Sequence, residues 1–390
     1  MGATAVAGTT TTPSRIRAID IVRGLVCVLM AIDHVRVYSG LPAGGPTPGI
    51  FLTRWITHFV APAFCFFAGT GAFFLGRKLN DVGALRKFLI TRGLLLVVLE
   101  MTLIRFAWAF NVGTDFMLAG VIWMLGWCMV CLGCVVTMRA KSVGLIGLVI
   151  VLFQQLFNLP GQKIAAIASF WSFIYNSPAE SAPLGINVLY VIVPWIGVMM
   201  AGYGFGLFFD REQAARDKFF LRLGLGLTAA WLILGTVKAM VVGDGGGDGS
   251  GDGVRQPFWM NLLNQQKYPA SQIFLLMTLG PAIALLPWAA RAKGFVADAL
   301  DTFGRVPMFY YIMHLLVIHT LAVVTMTAKG AGFDASWYAS APYTRIPPEA
   351  RWNLPLLYLV WAIAIVILYF VCSWYARRKR EKPAPWMAYL

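Results

Sequence analysis

The stretch PLLYLVWAIAIVILYFVCSWY, residues 355–375, contains no charged side chain and decides the class of the protein. A helix that crosses the hydrocarbon core of a bilayer needs about 20 predominantly apolar residues. Further segments of this kind precede it, and we predict about ten transmembrane helices in an all-α, polytopic membrane helix bundle. The predicted spans lie at about residues 18–39, 53–75, 88–108, 116–138, 143–159, 187–209, 221–242, 270–290, 306–327 and 355–375. Polar residues interrupt the end of the fifth segment, so its span is the least regular.

Composition and charge support a membrane protein. The chain is 59% hydrophobic and 13% charged, whereas water-soluble domains carry about 25% charged residues. The basic residues concentrate in alternate connections and after the last span, which by the positive-inside rule predicts that both termini are cytoplasmic. The same rule explains the net charge of +15, so nucleic acid is not an expected partner. We predict a disordered tail over residues 1–14, a transmembrane domain over 15–376 and a basic cytoplasmic tail over 377–390.

All four histidines of the chain lie inside predicted spans, at His34, His58, His314 and His319. A polar side chain in hydrocarbon is costly, and an imidazole can exchange protons near neutral pH, so this placement predicts a functional site. At 1.5 Å per residue, His34, His58 and His319 come out in the outer half of the membrane and His314 near the middle. His314 and His319 point about 140° apart on one helix, so we expect only one of them to face the site.

Three kinds of chemistry fit intramembrane histidines. Haem ligation is disfavoured because it needs facing pairs at two depths, and no metal site is expected. Acid–base or nucleophilic catalysis would use a histidine near the outer face, with a phosphorylated donor held at the cytoplasmic side. The basic residues there also satisfy the positive-inside rule alone, and they are Arg15, Arg17, Arg23, Arg77 and Lys78. A transporter that relays protons through the histidines is the third alternative.

Several segments carry a resemblance to a known family. RIRAIDIVRGL at 15–25 resembles the opening of the heparan-α-glucosaminide N-acetyltransferase catalytic-domain family, and three more segments resemble its bacterial members. Those segments are PWIGVMMAGYGFG at 194–206, KYPASQIFLLMTLGP at 267–281 and GRVPMFYYIMHLLVIH at 304–319. Arg23 followed after ten residues by His34 also resembles a motif of a related membrane acyltransferase family. These two groups are about 16 Å apart along one helix, a gap that a pantetheine arm could bridge.

The resemblance implies a membrane acyltransferase that moves an acyl group, in the first place acetyl, from cytoplasmic acyl-CoA to an extracytoplasmic sugar amine or hydroxyl. The acceptor would be a glycan or a lipid-linked sugar, the location the bacterial inner membrane, and a homo-oligomer is compatible with it. Animal lysosomal members place a catalytic histidine in the loop after the first span, whereas residues 40–52 contain none. His34 is therefore expected to be the general base, with His58 orienting it or binding substrate. A proton-coupled transporter of a small solute or glycan precursor remains the alternative.

The expected site residues fall into three groups. They are the catalytic Asp33, His34 and His58, the donor-binding Arg23, Arg77, Lys78, Arg305 and His314, and the acceptor-binding Lys267, Tyr268 and His319.

Overall fold

The computed structural model describes residues 16–45, 47–159, 165–175, 185–241 and 257–389. The protein is 78% helical, which confirms the predicted all-α class. The α-helices in the described ranges are α1 Arg17–Ser39, α2 Pro48–Trp55, α3 Val60–Leu79, α4 Val82–Leu99, α5 Arg105–Ala109, α6 Val121–Val135, α7 Ala140–Leu152, α8 Ala165–Ile174, α9 Trp195–Phe205, α10 Gln213–Val241, α11 Phe258–Leu263, α12 Gln272–Ala284, α13 Leu286–Arg291, α14 Phe295–Arg305, α15 Pro307–Ala328 and α16 Leu354–Glu381.

Each of the ten predicted spans contains at least one helix. Within the described residues, five helical segments are long and apolar enough to cross a membrane, and they are Pro48–Leu79, Gln213–Val241, Gln272–Arg291, Pro307–Ala328 and Leu354–Glu381. The fifth predicted span is shorter than expected, because α7 has 13 residues and ends at Leu152 before the polar stretch. Gln155 instead hydrogen-bonds Gln272 at 2.8 Å, so the side chains that end α7 connect it to α12.

Helix α1 lies at the centre of the bundle, against α3, α13, α14, α15 and α16. Its 23 residues extend about 34 Å, which is enough to cross a bilayer. Most of its side chains are buried, including the carboxylate of Asp20 and the guanidinium of Arg36. Because a charged side chain inside such a bundle needs a specific partner, α1 is the helix on which a functional site is expected.

Glycines allow the helices that hold the site to approach closely. A Cβ at Gly24 of α1 would collide with the backbone of Leu300 in α14, and one at Gly304 would collide with that of Asp20. Helices α3 and α9 meet in the same way, because a Cβ at Gly202 would collide with the carbonyl of Phe66. Small residues at helix contacts are the usual means of tight packing inside membranes.

Two irregular elements interrupt the helical pattern near the centre of the bundle. Strands β1, Met117–Ala119, and β2, Ile186–Val188, form a two-stranded parallel sheet at the start of two predicted spans. The second element is a π-helical turn, Glu100–Ile104, between α4 and α5. Neither element can be predicted from hydropathy. Both keep their backbone groups hydrogen-bonded within an apolar segment, and neither lowers the mean hydropathy of that segment.

The predicted N-terminal and C-terminal tails have different outcomes in the structure. The predicted tail over residues 1–14 and the side chain of Arg15 lie outside the described residues. At the other end, α16 continues to Glu381, past the predicted domain boundary at residue 376. The basic residues after position 376 therefore begin as a rigid extension of the last helix.

Candidate functional site

His34 and His314 face each other at the centre of the protein. Nδ1 of His34 contacts Nε2 of His314, although the two residues are 280 positions apart in the chain. The ring centroids are 4.7 Å apart and the planes are inclined by 24°, so the imidazoles meet nearly edge to edge.

The hydrogen bonds of the pair define the tautomer of each ring. Nδ1 of His314 lies 3.1 Å from the carbonyl oxygen of Tyr310, which can only accept, so this nitrogen carries the proton. In the neutral pair, Nε2 of His314 is then an acceptor, and Nδ1 of His34 donates to it. Nε2 of His34 is left with a free lone pair, which is the state that a general base requires.

A cavity of about 390 Å³ opens beside His34, toward the Ser39 end of α1. We call it the histidine cavity, and its lining includes Asp33, His34, Arg36, Arg54, His58, Glu100, Trp108, Tyr190, Lys267, Tyr268 and Tyr311. The structure thus brings together the predicted residues Asp33, His34, His58, Lys267 and Tyr268 around one space.

Charges and rings of this cavity are arranged in pairs. Asp33 forms an ion pair with Arg36 at 3.0 Å, one turn further along α1. The ammonium of Lys267 lies 5.2 Å from the ring centre of Tyr268 and 5.7 Å from that of Tyr190, within the range of cation–π attraction. Lys267 is a buried cation, and a buried cation that lines a cavity can donate hydrogen bonds to a polar or anionic ligand.

His58 is buried in the wall of the histidine cavity with unused hydrogen-bonding capacity. Neither ring nitrogen has a partner among the described residues, and the side chain is 2% exposed. One of the two nitrogens must carry a proton, and a buried polar group without a partner usually awaits water or a ligand. No direct contact supports the predicted role of His58 in orienting His34, because His314 occupies the position next to the His34 ring.

His319 lies apart from the other three histidines. Its Nδ1 donates to the carbonyl of Ala107 at 3.2 Å, and its ring lies 3.7 Å from that of Phe110. It lines neither the histidine cavity nor the second cavity described below, in contrast to the predicted role in acceptor binding. Tyr38 also bonds this end of α5, through the carbonyl of Trp108 at 2.6 Å. His319 therefore holds the short helix that carries Trp108 against His34.

A second cavity, of about 470 Å³, occupies the half of the bundle toward the Arg17 end of α1. We call it the basic cavity. Its cations are Arg23, Lys78, Arg92, Arg305 and Lys379, and its apolar lining includes Met30, Phe64, Leu96, Leu125, Met129 and Met308. Three of the predicted donor-binding residues thus line one space. Arg77 does not, because it pairs with Asp210, and His314 lies behind His34.

Tyr311 and Val121 line both cavities, so they form the partition between them. The ring of Tyr311 is 6.4 Å from that of His34, and Trp108 packs edge-on to His34 at 4.7 Å. Val121 is the first residue of α6, and Glu100 fixes that end of the helix. The Glu100 carboxylate accepts the backbone N–H groups of Ile122 and Trp123, at 2.8 and 3.0 Å. The two cavities therefore meet at a thin wall formed by Tyr311 and Val121, next to His34.

Sequence reasoning missed the residues of this wall and two cations of the basic cavity. They are Trp108, Val121, Tyr311, Arg92 and Lys379. An aromatic or aliphatic residue inside a predicted span gives no signal that separates a partition from ordinary packing. Arg92 could have been found, since it is a charged residue well inside the predicted span 88–108.

Comparison with known proteins supplies the family. The sequence profile described as heparan-alpha-glucosaminide N-acetyltransferase, catalytic, matches residues 15–238, more than half of the chain. No curated protein matches the sequence. The match includes Arg23, His34 and His58, whereas Lys267 and His314 lie beyond it. Together with the long apolar helices, it identifies a multi-pass membrane protein. The chain belongs to the heparan-alpha-glucosaminide N-acetyltransferase catalytic family.

Proposed function

We propose that the protein transfers an acyl group, in the first place acetyl, from acyl-CoA in the basic cavity to an acceptor in the histidine cavity. The observation that carries the proposal is the meeting of the two cavities at Tyr311 and Val121, next to the His34–His314 pair. Transfer across a membrane needs a donor site and an acceptor site that open to opposite sides and share one reactive point. A transporter would not require a basic cavity at one end of its pathway.

The donor would enter at the Arg17 end of α1. Arg23, Lys78 and Arg92 offer positive charge to the phosphates of CoA, and the apolar wall of the basic cavity fits a pantetheine arm. Arg23 is eleven residues before His34, about 16 Å, so the thioester reaches the partition when the phosphates stay among the cations. The acceptor, a sugar amine or hydroxyl, would be held by His58, Lys267 and Tyr268.

The reaction follows from the tautomers of the histidine pair. Nε2 of His34 takes the proton of the acceptor amine or hydroxyl as its nitrogen or oxygen attacks the thioester carbonyl carbon. The new C–N or C–O bond forms, the C–S bond breaks, and the CoA sulfur leaves as a thiolate that receives the proton from His34. His314 accepts the Nδ1–H bond of His34 throughout and stabilises the imidazolium, which makes it a positioning residue.

The topology that accompanies this proposal has about ten spans and cytoplasmic termini in a bacterial plasma membrane. The predicted spans beyond the five long apolar helices are α1, the continuous α4–α5 segment and the shorter apolar helices. In this arrangement the basic cavity opens to the cytoplasm, where acyl-CoA is made, and the histidine cavity opens to the far side. The positive-inside rule supports this orientation.

The test is acyl-CoA binding and turnover by the detergent-purified protein. We expect acetyl-CoA to bind, and glucosamine, as a probe with an amine and hydroxyls, to release CoA thiol from it. His34→Gln should bind acetyl-CoA with unchanged affinity and lose turnover by about 10²–10⁴-fold, the usual contribution of a general base. Absence of binding at millimolar acetyl-CoA would refute the proposal and favour the proton-coupled transporter, which uptake into proteoliposomes would then reveal.

A further inference from the structure

A cleft of about 390 Å³ between α14 and α16 lies next to the basic cavity. We call it the tail cleft. Its cations are Arg305, Arg377, Lys379 and Arg380, and Thr302 and Ser373 add hydroxyl groups. No carboxylate lines it in the part of the chain that the structure describes. Arg305 and Lys379 also line the basic cavity, so the positive lining continues from one space into the other.

Two of these cations have no anionic partner among the described residues. Arg305 pairs with Asp301 at 2.5 Å, whereas neither Arg377 nor Arg380 forms an ion pair within the described ranges. Arg377 and Arg380 are one turn apart on the same helix face, where like charges repel each other. A bound anion removes this repulsion, and the planar guanidinium group matches the oxygens of a phosphate.

The positive-inside rule alone does not explain this arrangement. That rule predicts basic residues near the cytoplasmic end of a span, but it does not predict on which side of the helix they lie. Arg378 and Lys382 meet it equally well, but they line neither the tail cleft nor the basic cavity. The cations that face α14 enclose a space, and that space leads to the proposed donor site.

We propose that the tail cleft binds the 3′-phosphorylated adenosine end of the CoA donor and so selects CoA over thioesters that lack the 3′-phosphate. The inference rests on the proposed function. CoA carries a diphosphate and, on the ribose, a separate phosphate monoester, which calls for two neighbouring groups of cations. Arg23, Lys78 and Arg92 face the diphosphate from the basic cavity, and Arg305 and Lys379 face it from the junction of the two spaces. Arg377 and Arg380 hold the 3′-phosphate.

The experiment compares acetyl-CoA with acetyl-dephospho-CoA as donors to glucosamine, with the full-length protein in phosphatidylcholine nanodiscs. We expect the wild-type protein to show a KM about tenfold lower for acetyl-CoA, as the loss of one or two charge-assisted hydrogen bonds implies. R377Q/R380Q should raise the KM for acetyl-CoA to that for the dephospho donor, with kcat unchanged. The matched control R378Q/K382Q removes the same charge from the C-terminal end of the same helix and the residue that follows it, and it should keep the tenfold ratio.

Each alternative gives a different result. An unchanged donor ratio in R377Q/R380Q would overturn the inference while leaving the acyltransferase intact. If the cleft instead binds a lipid headgroup, the double variant would raise the KM for both donors equally, and only in nanodiscs that contain phosphatidylglycerol. Absence of turnover with both donors in the wild-type protein would refute the proposed function itself.

Discussion

Replacement of His314 by alanine tests whether His34 is a base that its neighbour positions. The change removes the acceptor of the His34 Nδ1–H bond while leaving His34 and both cavity linings in place. A buried hydrogen bond that is lost with one partner left unsatisfied costs about 1–3 kcal/mol, which corresponds to roughly 5–150-fold in rate. We expect kcat to fall by this factor and the KM for acetyl-CoA to stay the same.

His319 provides the matched control for that measurement. Both histidines are fully buried on α15, and each donates its Nδ1–H to a backbone carbonyl. His319→Ala and His314→Ala should therefore lose similar stability, about 2–5 kcal/mol each, as for other large buried side chains. His314→Ala should lower kcat per folded molecule much more than His319→Ala, which displaces only the helix that carries Trp108, as measured by CoA thiol release normalised to monodisperse protein.

A conservative variant separates positioning from packing. The amide of glutamine reaches about as far as Nε2 of a histidine, so His314→Gln can offer an oxygen to the His34 Nδ1–H. We expect it to recover part of the kcat that His314→Ala loses. Equal losses of kcat in the alanine variants of His314 and His319, or wild-type kcat in His314→Ala, would refute the proposed pair.

Three further substitutions test the wall, the packing and the acceptor site. Glu100→Ala should lower the free energy of unfolding by about 1–3 kcal/mol, because it leaves two buried N–H groups of α6 without an acceptor. Glu100→Gln keeps an oxygen at this place and should lose less. Thermal unfolding in detergent compares the two variants. Gly202→Val should prevent α3 and α9 from packing and abolish the monodisperse peak in size-exclusion chromatography, while Gly226→Val, with nothing within 4 Å of its Cβ, should not. Lys267→Met should raise the KM for glucosamine about tenfold to hundredfold, the effect of losing one hydrogen bond from a charged donor to a sugar oxygen. The KM for acetyl-CoA should stay the same, since the ammonium lies only in the histidine cavity.

Local pattern was enough to predict the class of the fold and the placement of Arg23 and His34 on one helix. Arg23 and His34 lie on one helix, so their separation follows from helix geometry alone, and the structure places them at the two cavities. The same arithmetic explains why His314 and His319 point to different neighbours. These predictions hold because they depend on distances within a single helix.

The contact between His34 and His314 could not be obtained in this way. His34 is about 25 Å from the first residue of α1, whereas His314 is only about 10 Å from that of α15. Depth arithmetic assumes that every span begins at the same plane, and it therefore placed the two histidines at different depths. Their contact requires that α15 is shifted or tilted relative to α1, and packing rather than hydropathy sets such offsets.

If the proposed reaction takes place, the partition between the cavities has to meet two opposing demands. It would keep the membrane sealed when neither substrate is bound, and it would let a thioester carbon approach a nucleophile on the other side. Tyr311 and Val121 close the gap with side chains, whereas Glu100 fixes the backbone that carries Val121. A wall one side chain thick needs no large movement, because only the reacting atoms have to meet. The proton taken from the acceptor returns to the leaving thiolate through the same ring of His34, so in the proposed reaction no ion has to cross the wall.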